Sequence, residues 1–345
     1  MTIAFEQIPA DEPVPGTFVE IGVNRTAIAP QIKPYKALLI GQRLAAGSVA
    51  EKVPTKATSA DQVGAFAGRG SMAHQMAVHW FENNQVTEAT FVFLDDDGSA
   101  VKADSDVVVA GTATEDGTLV FYVNGARIPV GVATGDAAAD VAAALDAAIN
   151  ANGDLPVDST VATATVTVAA KNGGVAGNSI DLRHSYFEGE SLPAGITLTI
   201  PAMSGGATDP TIDATLWSAL GSIQYDVIVF PYSEAAQTGP LVTELDSRAT
   251  PGRNIRGVAL GFIRDSHGNI ITKTDALNSE WLVMAGHPDM PQSPPQIAAM
   301  IAGQYAISAQ RDPASPFGGL VLRGCRPPDE TDELDLSERR LMLQD

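Results

Sequence analysis

The chain has 345 residues, 45% of them hydrophobic and 18% charged, a composition that indicates a globular protein with a sizeable core and excludes a disordered one. Its 41 acidic and 21 basic residues give a formal net charge of -20. Because phosphate backbones are bound by clustered Lys and Arg, and the sequence has no such cluster, we expect no direct contact with nucleic acid. We find neither the basic and apolar start of a secretory signal nor an apolar run near about 18 residues, so we expect no direct membrane insertion.

Residues 1–33 predict an extended N-terminal arm. Prolines punctuate this segment, and between them Thr17-Phe18-Val19-Glu20-Ile21 alternates in the manner of a half-buried strand. A strand isolated by prolines has no partner within its own segment, so it must pair at the edge of the core or on a neighbouring molecule. We therefore take Thr17, Phe18, Val19, Glu20 and Ile21 as candidate residues of subunit interaction.

The next segment predicts the first strands and helices of an α/β core. Ser59 and Gln62 have the spacing of a capping box, which indicates the start of a helix. The acidic run after Leu94 predicts a turn. The elements predicted here are the strand Lys36–Ile40, a helix ending at Ala67, the helix Ser71–Asn83, the strand Thr90–Leu94 and the turn Asp95–Gly98.

From about residue 100 to 201 the composition changes to short strands and tight turns. Asn124-Gly125, between two strand patterns, is a strong hairpin signal. The predicted strands are Asp106–Thr112, Thr118–Val123, Ala126–Val132, Ala162–Ala169 and Ile196–Ile200, with one helix, Ala137–Asn150. Because strands typical of a core lie on both sides, this unit is predicted to be an insertion that returns at Ser204-Gly205-Gly206. We expect it to fold independently of the core.

The stretch Gln224–Tyr232 predicts the central strand of the core. Val227 to Phe230 are apolar without alternation, which is typical of a strand covered on both faces. Its expected sheet partners are Tyr35–Ile40, Thr90–Leu94, Ile255–Ile263 and Trp281–Ala285. The remaining predicted helices are Thr211–Leu220, Glu234–Ser247, Thr272–Asn278, Gln296–Ala309 and Leu334–Leu343.

These patterns predict the fold class: an α/β core sheet with flanking helices, an inserted β-rich α+β domain and an extended N-terminal arm. The expected domain bounds are 1–33 for the arm, 34–94 with 207–322 for the discontinuous core, 95–206 for the insertion, and 323–345 for a linker leading to a further C-terminal region.

Candidate catalytic and metal-binding groups are weak. No phosphate-binding loop is present, and Asp265, Ser266 and His267 are adjacent in sequence, so they cannot form a catalytic triad among themselves. His74 and His79 are five residues apart, the wrong spacing for one helical face. The acidic cluster Asp95, Asp96, Asp97, Asp104 and Asp106 suits either a hard cation or a solvated turn. We therefore predict no catalytic, cofactor-binding or metal-binding residues and no cofactor.

Several segments together resemble contractile phage tail sheath proteins of the Mu-like kind, a family that includes tailocin sheaths. Their order and spacing carry the resemblance, which spans both ends of the chain and is least specific in the insertion. The segments are Ile3–Pro9, Val14–Ile21, Tyr35–Gln42, Asp226–Tyr232 and Leu336–Arg340.

The resemblance implies a structural virion protein. Sheath subunits of this family stack as hexameric rings around a tail tube, and their extended arms add strands to the sheets of neighbouring copies. Contraction then drives the tube through the host envelope. The implied partners are other copies of the chain, the tail tube protein, the baseplate and the tail terminator. The implied locations are the virion tail and, during assembly, the host cytoplasm, which fits a sequence whose single cysteine, Cys325, excludes an intrachain disulfide.

Family members continue beyond the segment that resembles Leu336–Arg340 into a domain that faces the tube. We therefore expect that this chain is truncated and, without its second arm, mainly monomeric. The alternative function is a soluble α/β enzyme with a β-rich lid and a site that the sequence does not reveal.

Overall fold

The computed structural model describes residues 34–277, 279–314, 317–328 and 333–342, with residues 341 and 342 described by backbone alone. The candidate arm residues Thr17–Ile21 lie outside the described residues. Residues 34–345 belong to one compact unit.

The described strands run in chain order as β1 (Lys36–Gln42), β2 (Thr55–Ala57), β3 (Glu88–Leu94), β4 (Asp104–Gly111), β5 (Gly117–Val123), β6 (Ala126–Val132), β7 (Val157–Ala162), β8 (Thr165–Ala170), β9 (Leu182–His184), β10 (Ile196–Thr199), β11 (Val227–Val229), β12 (Val258–Ile263) and β13 (Leu282–Gly286). The helices are α1 (Ala60–Ala67), α2 (Met72–Asn83), α3 (Ala138–Ala151), α4 (Ala214–Leu220), α5 (Ala235–Ala249), α6 (His267–Asp275), α7 (Pro294–Arg311) and α8 (Leu336–Met342). A 3-10 turn occupies Val175–Ser179.

The core is a six-stranded sheet in the order β13-β12-β11-β1-β3-β2. The first five strands are parallel, and only the short β2 is antiparallel to its neighbour. The predicted central strand is confirmed: β11 pairs with β1 on one side and with β12 on the other. Val227 and Val229 are fully buried and Ile228 is 4% exposed, because helices cover both faces. All four predicted sheet partners are also confirmed.

Alternate residues of the strands supply two hydrophobic clusters. One face of the sheet packs on α1, α2 and the Ala-rich α7, with Trp80 and Val229 in the same cluster. The opposite face packs on α4 and α5, where Ile228 meets Trp217 and Leu241. Period-2 strands between period-3.6 helices therefore explain the layered core.

The residues between β3 and α4 form two antiparallel sheets, β10-β4-β8-β7 and β6-β5-β9, around a hydrophobic cluster of their own with α3. The mixed α/β character expected from the sequence is confirmed. The division of residues 34–345 into a core domain and an inserted domain stays a prediction, since they belong to one compact unit.

Several predicted elements need correction. The single strand Ala162–Ala169 is wrong: the chain turns at Thr163, whose φ is +55°, and β7 pairs with β8 as a hairpin. The helix expected at Thr272–Asn278 starts at His267 and ends at Asp275. Helix α4 starts after Asp213, which caps it by accepting from the Leu216 N–H, so the prediction began too early. Strands β2, β7 and β9 are too short or too polar to have been predicted.

The junction at the carboxyl edge of the central sheet

The chain passes from β1 to β3 on one side of β1 and later to β11 on its other side. In parallel sheets, such a reversal opens a crevice at the carboxyl ends of the two strands, where ligands commonly bind. An enzyme with this core would be expected to bind its substrate in this crevice. The residues at these strand ends therefore bear on the choice between a structural protein and an α/β enzyme.

The insertion contacts this edge of the sheet. Gln42, at the end of β1, donates from Nε2 to Gly173 O at 2.6 Å and to Asp96 Oδ1 at 2.8 Å. Asn172 Nδ2 donates to Arg43 O and to Asp96 Oδ1, both at 3.0 Å. The Gly173 N–H donates to Asp96 Oδ2 at 2.7 Å. Asp96, predicted as part of an acidic turn, is thus an anchor that holds the insertion against the sheet.

A second set of contacts links β9 to the ends of β12 and β13. Arg264 Nη2 lies 3.0 Å from Asp181 Oδ1, and its Nη1 donates to Ser179 O at 3.1 Å. Arg183 pairs with the same Asp181, and its Nη2 lies 3.3 Å from Asp289 Oδ1. Burial alone would lower the pKa of Arg183, but Asp181 and Asp289 outweigh it and hold that pKa above its ordinary value. We call Asp181, Arg183, Arg264 and Asp289 the charged network.

The hairpin tip of the insertion makes a third contact. Asn124 and Gly125 both have positive φ, as predicted for this turn. The Ser293 N–H, just before α7, donates to Asn124 Oδ1 at 2.7 Å. Arg326 Nε donates to Gly125 O at 2.6 Å. A Cβ on Gly125 would lie 2.9 Å from Gln292 Cγ, so the close approach also favours glycine.

The segment Arg323–Pro328 is tied to both the core and the insertion. Asn83, at the end of α2, donates to Arg323 O at 3.0 Å and accepts from the Arg323 N–H at 2.8 Å. The Tyr186 hydroxyl donates to Pro327 O from the insertion side. This part of the predicted linker therefore completes the junction.

The residues considered for catalysis or metal binding have other roles. Asp265 accepts from the Ser266 N–H and from the Asn269 side chain, two local contacts at the start of α6. His74 accepts from the Gly70 N–H, and burial lowers its pKa. Asp95 pairs with Arg43, and Asp97 with Ser99. In the described part of the chain, no three His, Cys, Asp or Glu side chains are grouped so that they could hold a metal ion.

One polar cavity remains beside the carboxyl ends of β11 and β12. Its volume is about 190 Å³, and its lining contains no histidine or cysteine that could serve as base or thiol nucleophile. The Tyr232 hydroxyl is buried there without a hydrogen-bond partner, and burial raises its pKa well above 10.0. Burial also raises the pKa of Asp209, which accepts from the Ala176 N–H at 3.2 Å. Lys273 is paired with Glu234 at 2.9 Å. The Asp209–Ala176 contact joins the chain returning from the insertion to the 3-10 turn.

Asp96 and the Asn124-Gly125 turn were noted in the sequence, but not as contacts of the insertion with the core, and the other residues that build the junction were not noted. Gln42 follows a buried strand directly, and Asn172 precedes two glycines, so both carried a signal for a polar contact at a strand end. The charged network had no local sequence signal, because its members are separated by up to about a hundred residues. The candidate arm residues Thr17–Ile21 lie outside the described structure, so their role stays a prediction.

Among the described helices, none is both long and apolar enough to cross a bilayer. No protein-family model matches the chain. In sequence it is 31% identical over 347 aligned positions to the Mu-like prophage FluMu tail sheath protein of Haemophilus influenzae, covering 99% of this chain and 70% of that relative. A solved structure, the sheath tail protein Lin1278 from Listeria innocua, matches 90% of this chain at 15% identity with a TM-score of 0.41. The chain spans 64% of that protein's length. On the sequence relationship, the chain belongs to the family of Mu-like phage tail sheath proteins.

Proposed function

We propose that the chain is a subunit of a contractile sheath that surrounds the tail tube and drives it through the host envelope on contraction. The observation that carries this proposal is the 31% identity to a tail sheath protein, which extends over 99% of the chain. The match therefore includes the core, the insertion and the junction, and not only one common α/β unit.

The junction supports a mechanical role. A subunit that transmits force benefits when its parts move together, and three separate sets of contacts tie the insertion to the core here. Asp181 is 8% exposed and its partners are half-buried, so water screens this network less than it would a surface pair. Gln42 and Arg264, at these strand ends, are engaged in contacts with the insertion, which supports a mechanical role over the enzyme alternative.

The proposed partners are other copies of the chain in hexameric rings stacked as a helical sheath, the tail tube protein, the baseplate and the tail terminator. Thr17–Ile21 is the proposed subunit-interaction arm. The proposed locations are the virion tail and the host cytoplasm during assembly. By itself the chain should be mainly monomeric, because a net charge of -20 per copy makes the copies repel one another.

Electron microscopy tests the proposal. Protein that carries this chain at the full length of its sheath relatives, mixed with its tube protein, should form hollow cylinders of constant width. A matched sample with Phe18→Asp and Ile21→Asp should form fewer cylinders while its thermal melt is unchanged. Isolated particles at every concentration and in the presence of the tube would contradict a sheath role.

A further inference from the structure

The chain contains three Asn-Gly pairs, which begin at Asn124, Asn152 and Asn172. An asparagine before glycine is prone to lose its side-chain amide, because the next backbone nitrogen can attack the amide carbon. Glycine has no side chain to hinder this attack, and its backbone rotates freely. The reaction needs a side chain that can fold back on the chain and a nitrogen that is free to attack. The surroundings of each pair therefore decide which pair reacts.

Two of the pairs are held by the junction. The buried Asn124 donates from Nδ2 to Ser293 Oγ at 3.1 Å and accepts at Oδ1 from the Ser293 N–H at 2.7 Å. The buried Asn172 donates from Nδ2 to Asp96 Oδ1 at 3.0 Å. The Gly173 N–H, the nucleophile of that pair, donates to Asp96 Oδ2 at 2.7 Å. Neither asparagine can be attacked unless these hydrogen bonds break.

The third pair is exposed and unrestrained. Asn152 is the C-cap residue of α3, with a φ of -99° and a ψ of 87°, so its backbone lies outside the helix. Among the described hydrogen bonds, none engages the Asn152 Nδ2, which would leave, or the Gly153 N–H, which would attack. Asn152 Oδ1 accepts from the Asp154 N–H at 3.2 Å. This bond folds the side chain back over Gly153 and polarises the amide carbonyl toward attack.

We infer that Asn152 is a site of self-modification, at which the chain converts its own asparagine into aspartate or isoaspartate. The Gly153 nitrogen loses its proton to solvent base and bonds to Asn152 Cγ. The Cγ–Nδ2 bond breaks, and the amide nitrogen takes a proton from water and leaves as ammonia, so a succinimide ring remains. The inference does not depend on the proposed function.

Hydrolysis of the ring completes the reaction. Water cleaves one of the two bonds between the ring nitrogen and a carbonyl carbon. Cleavage at the former side-chain carbonyl leaves aspartate, and cleavage at the main-chain carbonyl leaves isoaspartate, in which the backbone runs through the former side chain. Water is the only co-reactant, and no atom is oxidised or reduced.

The modified pair lies at a contact between the insertion and the segment of α1 and α2. Arg69 Nη1 lies 2.6 Å from Asp154 Oδ1, and the Gln75 side chain donates to Asp154 O. Lys171 Nζ donates to Gly153 O at 2.9 Å. Isoaspartate adds a carbon to the backbone directly before Gly153, so it displaces the atoms that these contacts use. Aspartate adds a negative charge but leaves the path of the backbone unchanged. The isoaspartate form should therefore have a lower melting temperature than the aspartate form.

Mass spectrometry tests the modification. The chain is aged in mildly alkaline buffer made with water enriched in heavy oxygen, and its peptides are then analysed. Position 152 should exchange its amide nitrogen for heavy oxygen at least about tenfold faster than positions 124 and 172. In the chain unfolded in urea, the three positions should react at similar rates, because the local sequence then decides the rate.

Gly153→Ala is the matched variant. A Cβ at this position would have no neighbouring heavy atom within 4 Å, so the fold should accept it. The added methyl group hinders attack by the backbone nitrogen, so the variant should react about tenfold more slowly at position 152. An unchanged rate would show that this nitrogen is not the nucleophile and would overturn the proposed step.

The other outcomes are also decisive. Equal rates at the three positions of the folded chain would overturn the inference, as would an intact position 152 in a folded chain that reacts at all three positions when unfolded. A thermal melt of the isoaspartate fraction, separated by chromatography, measures the effect on the contact, with Asn152→Asp as the control for the added charge. An isoaspartate fraction that melts at the same temperature as Asn152→Asp would overturn that effect.

Discussion

Val229 shows what a single buried position contributes to the core. It is fully buried in β11 and belongs to the cluster formed with α2 and α7. Val229→Asp would place a carboxylate there without a partner, so we expect a loss of several kcal/mol in the free energy of unfolding. Denaturant unfolding measures it. Val86→Asp, at a position 79% exposed, is the control and should change stability little. Equal effects of the two substitutions would contradict a central role for β11.

His79 provides a pH-dependent prediction. Burial, with a smaller contribution from Arg326, lowers its pKa from 6.5 to about 4, and Glu82 lies 3.7 Å from its Nδ1, beyond hydrogen-bond reach. Between about pH 6.5 and 4, His79 of the unfolded chain therefore binds a proton that His79 of the folded chain does not. The free energy of unfolding is unaffected by this group above about pH 6.5 and falls as the pH drops toward 4, by up to about 1.4 kcal/mol per pH unit.

His79→Gln should flatten this decline between pH 6.5 and 5, where most carboxylates do not yet titrate. Urea unfolding at several pH values measures the slope. Gln85→Asn, at an exposed position that does not titrate, is the control and should leave the slope unchanged. His74 and His184, whose pKa values burial also lowers, should preserve part of the slope in the variant. An unchanged slope in His79→Gln would contradict the assignment.

At the scale of the element, the β7–β8 hairpin predicts opposite effects of the same substitution at two threonines. Thr163 is held at a φ of +55°, which a β-branched residue adopts only with strain. Thr163→Gly should raise the free energy of unfolding by about 1 kcal/mol. Thr160→Gly, inside β7, should lower it by a similar amount, because glycine weakens a strand. Thermal melts of both variants suffice, and a destabilised Thr163→Gly would show that its backbone is not strained.

At the scale of the whole molecule, the junction changes our expectation for the insertion. Its self-contained hairpins suggested independent folding, but removing it would leave Gln42, Arg264 and Tyr232 exposed at the sheet edge without their present neighbours. We therefore expect calorimetry of the intact chain to show one transition. Replacing residues 95–206 with a short Gly/Ser linker should lower the melting temperature substantially.

Arg264→Met is the matched control for that deletion. It removes one cation of the charged network while keeping most of the side-chain volume, so it should lower the melting temperature less and preserve a single transition. Two separate transitions in the intact chain would instead support an independently folded insertion.

Features that depend on interactions within a few residues were predicted from the sequence, and features that depend on long-range pairing were not. The central strand, the two-sided burial of Val227 and Val229, and the hairpin at Asn124-Gly125 all follow from short patterns, because side-chain alternation and turn chemistry act over a few residues. The hairpin at Thr163 was missed because threonine gives no turn signal, and its left-handed backbone is imposed by the pairing of β7 with β8.

What the sequence determined by itself was the class of the fold, the position of the insertion between core strands, and membership of the tail sheath family. What only the tertiary structure decided was the junction between the insertion and the central sheet. Asp181 meets Arg264 across 83 positions, and Asn124 meets Ser293 across 169. Neither pairing has a local signature, because both depend on which strand ends the fold brings together.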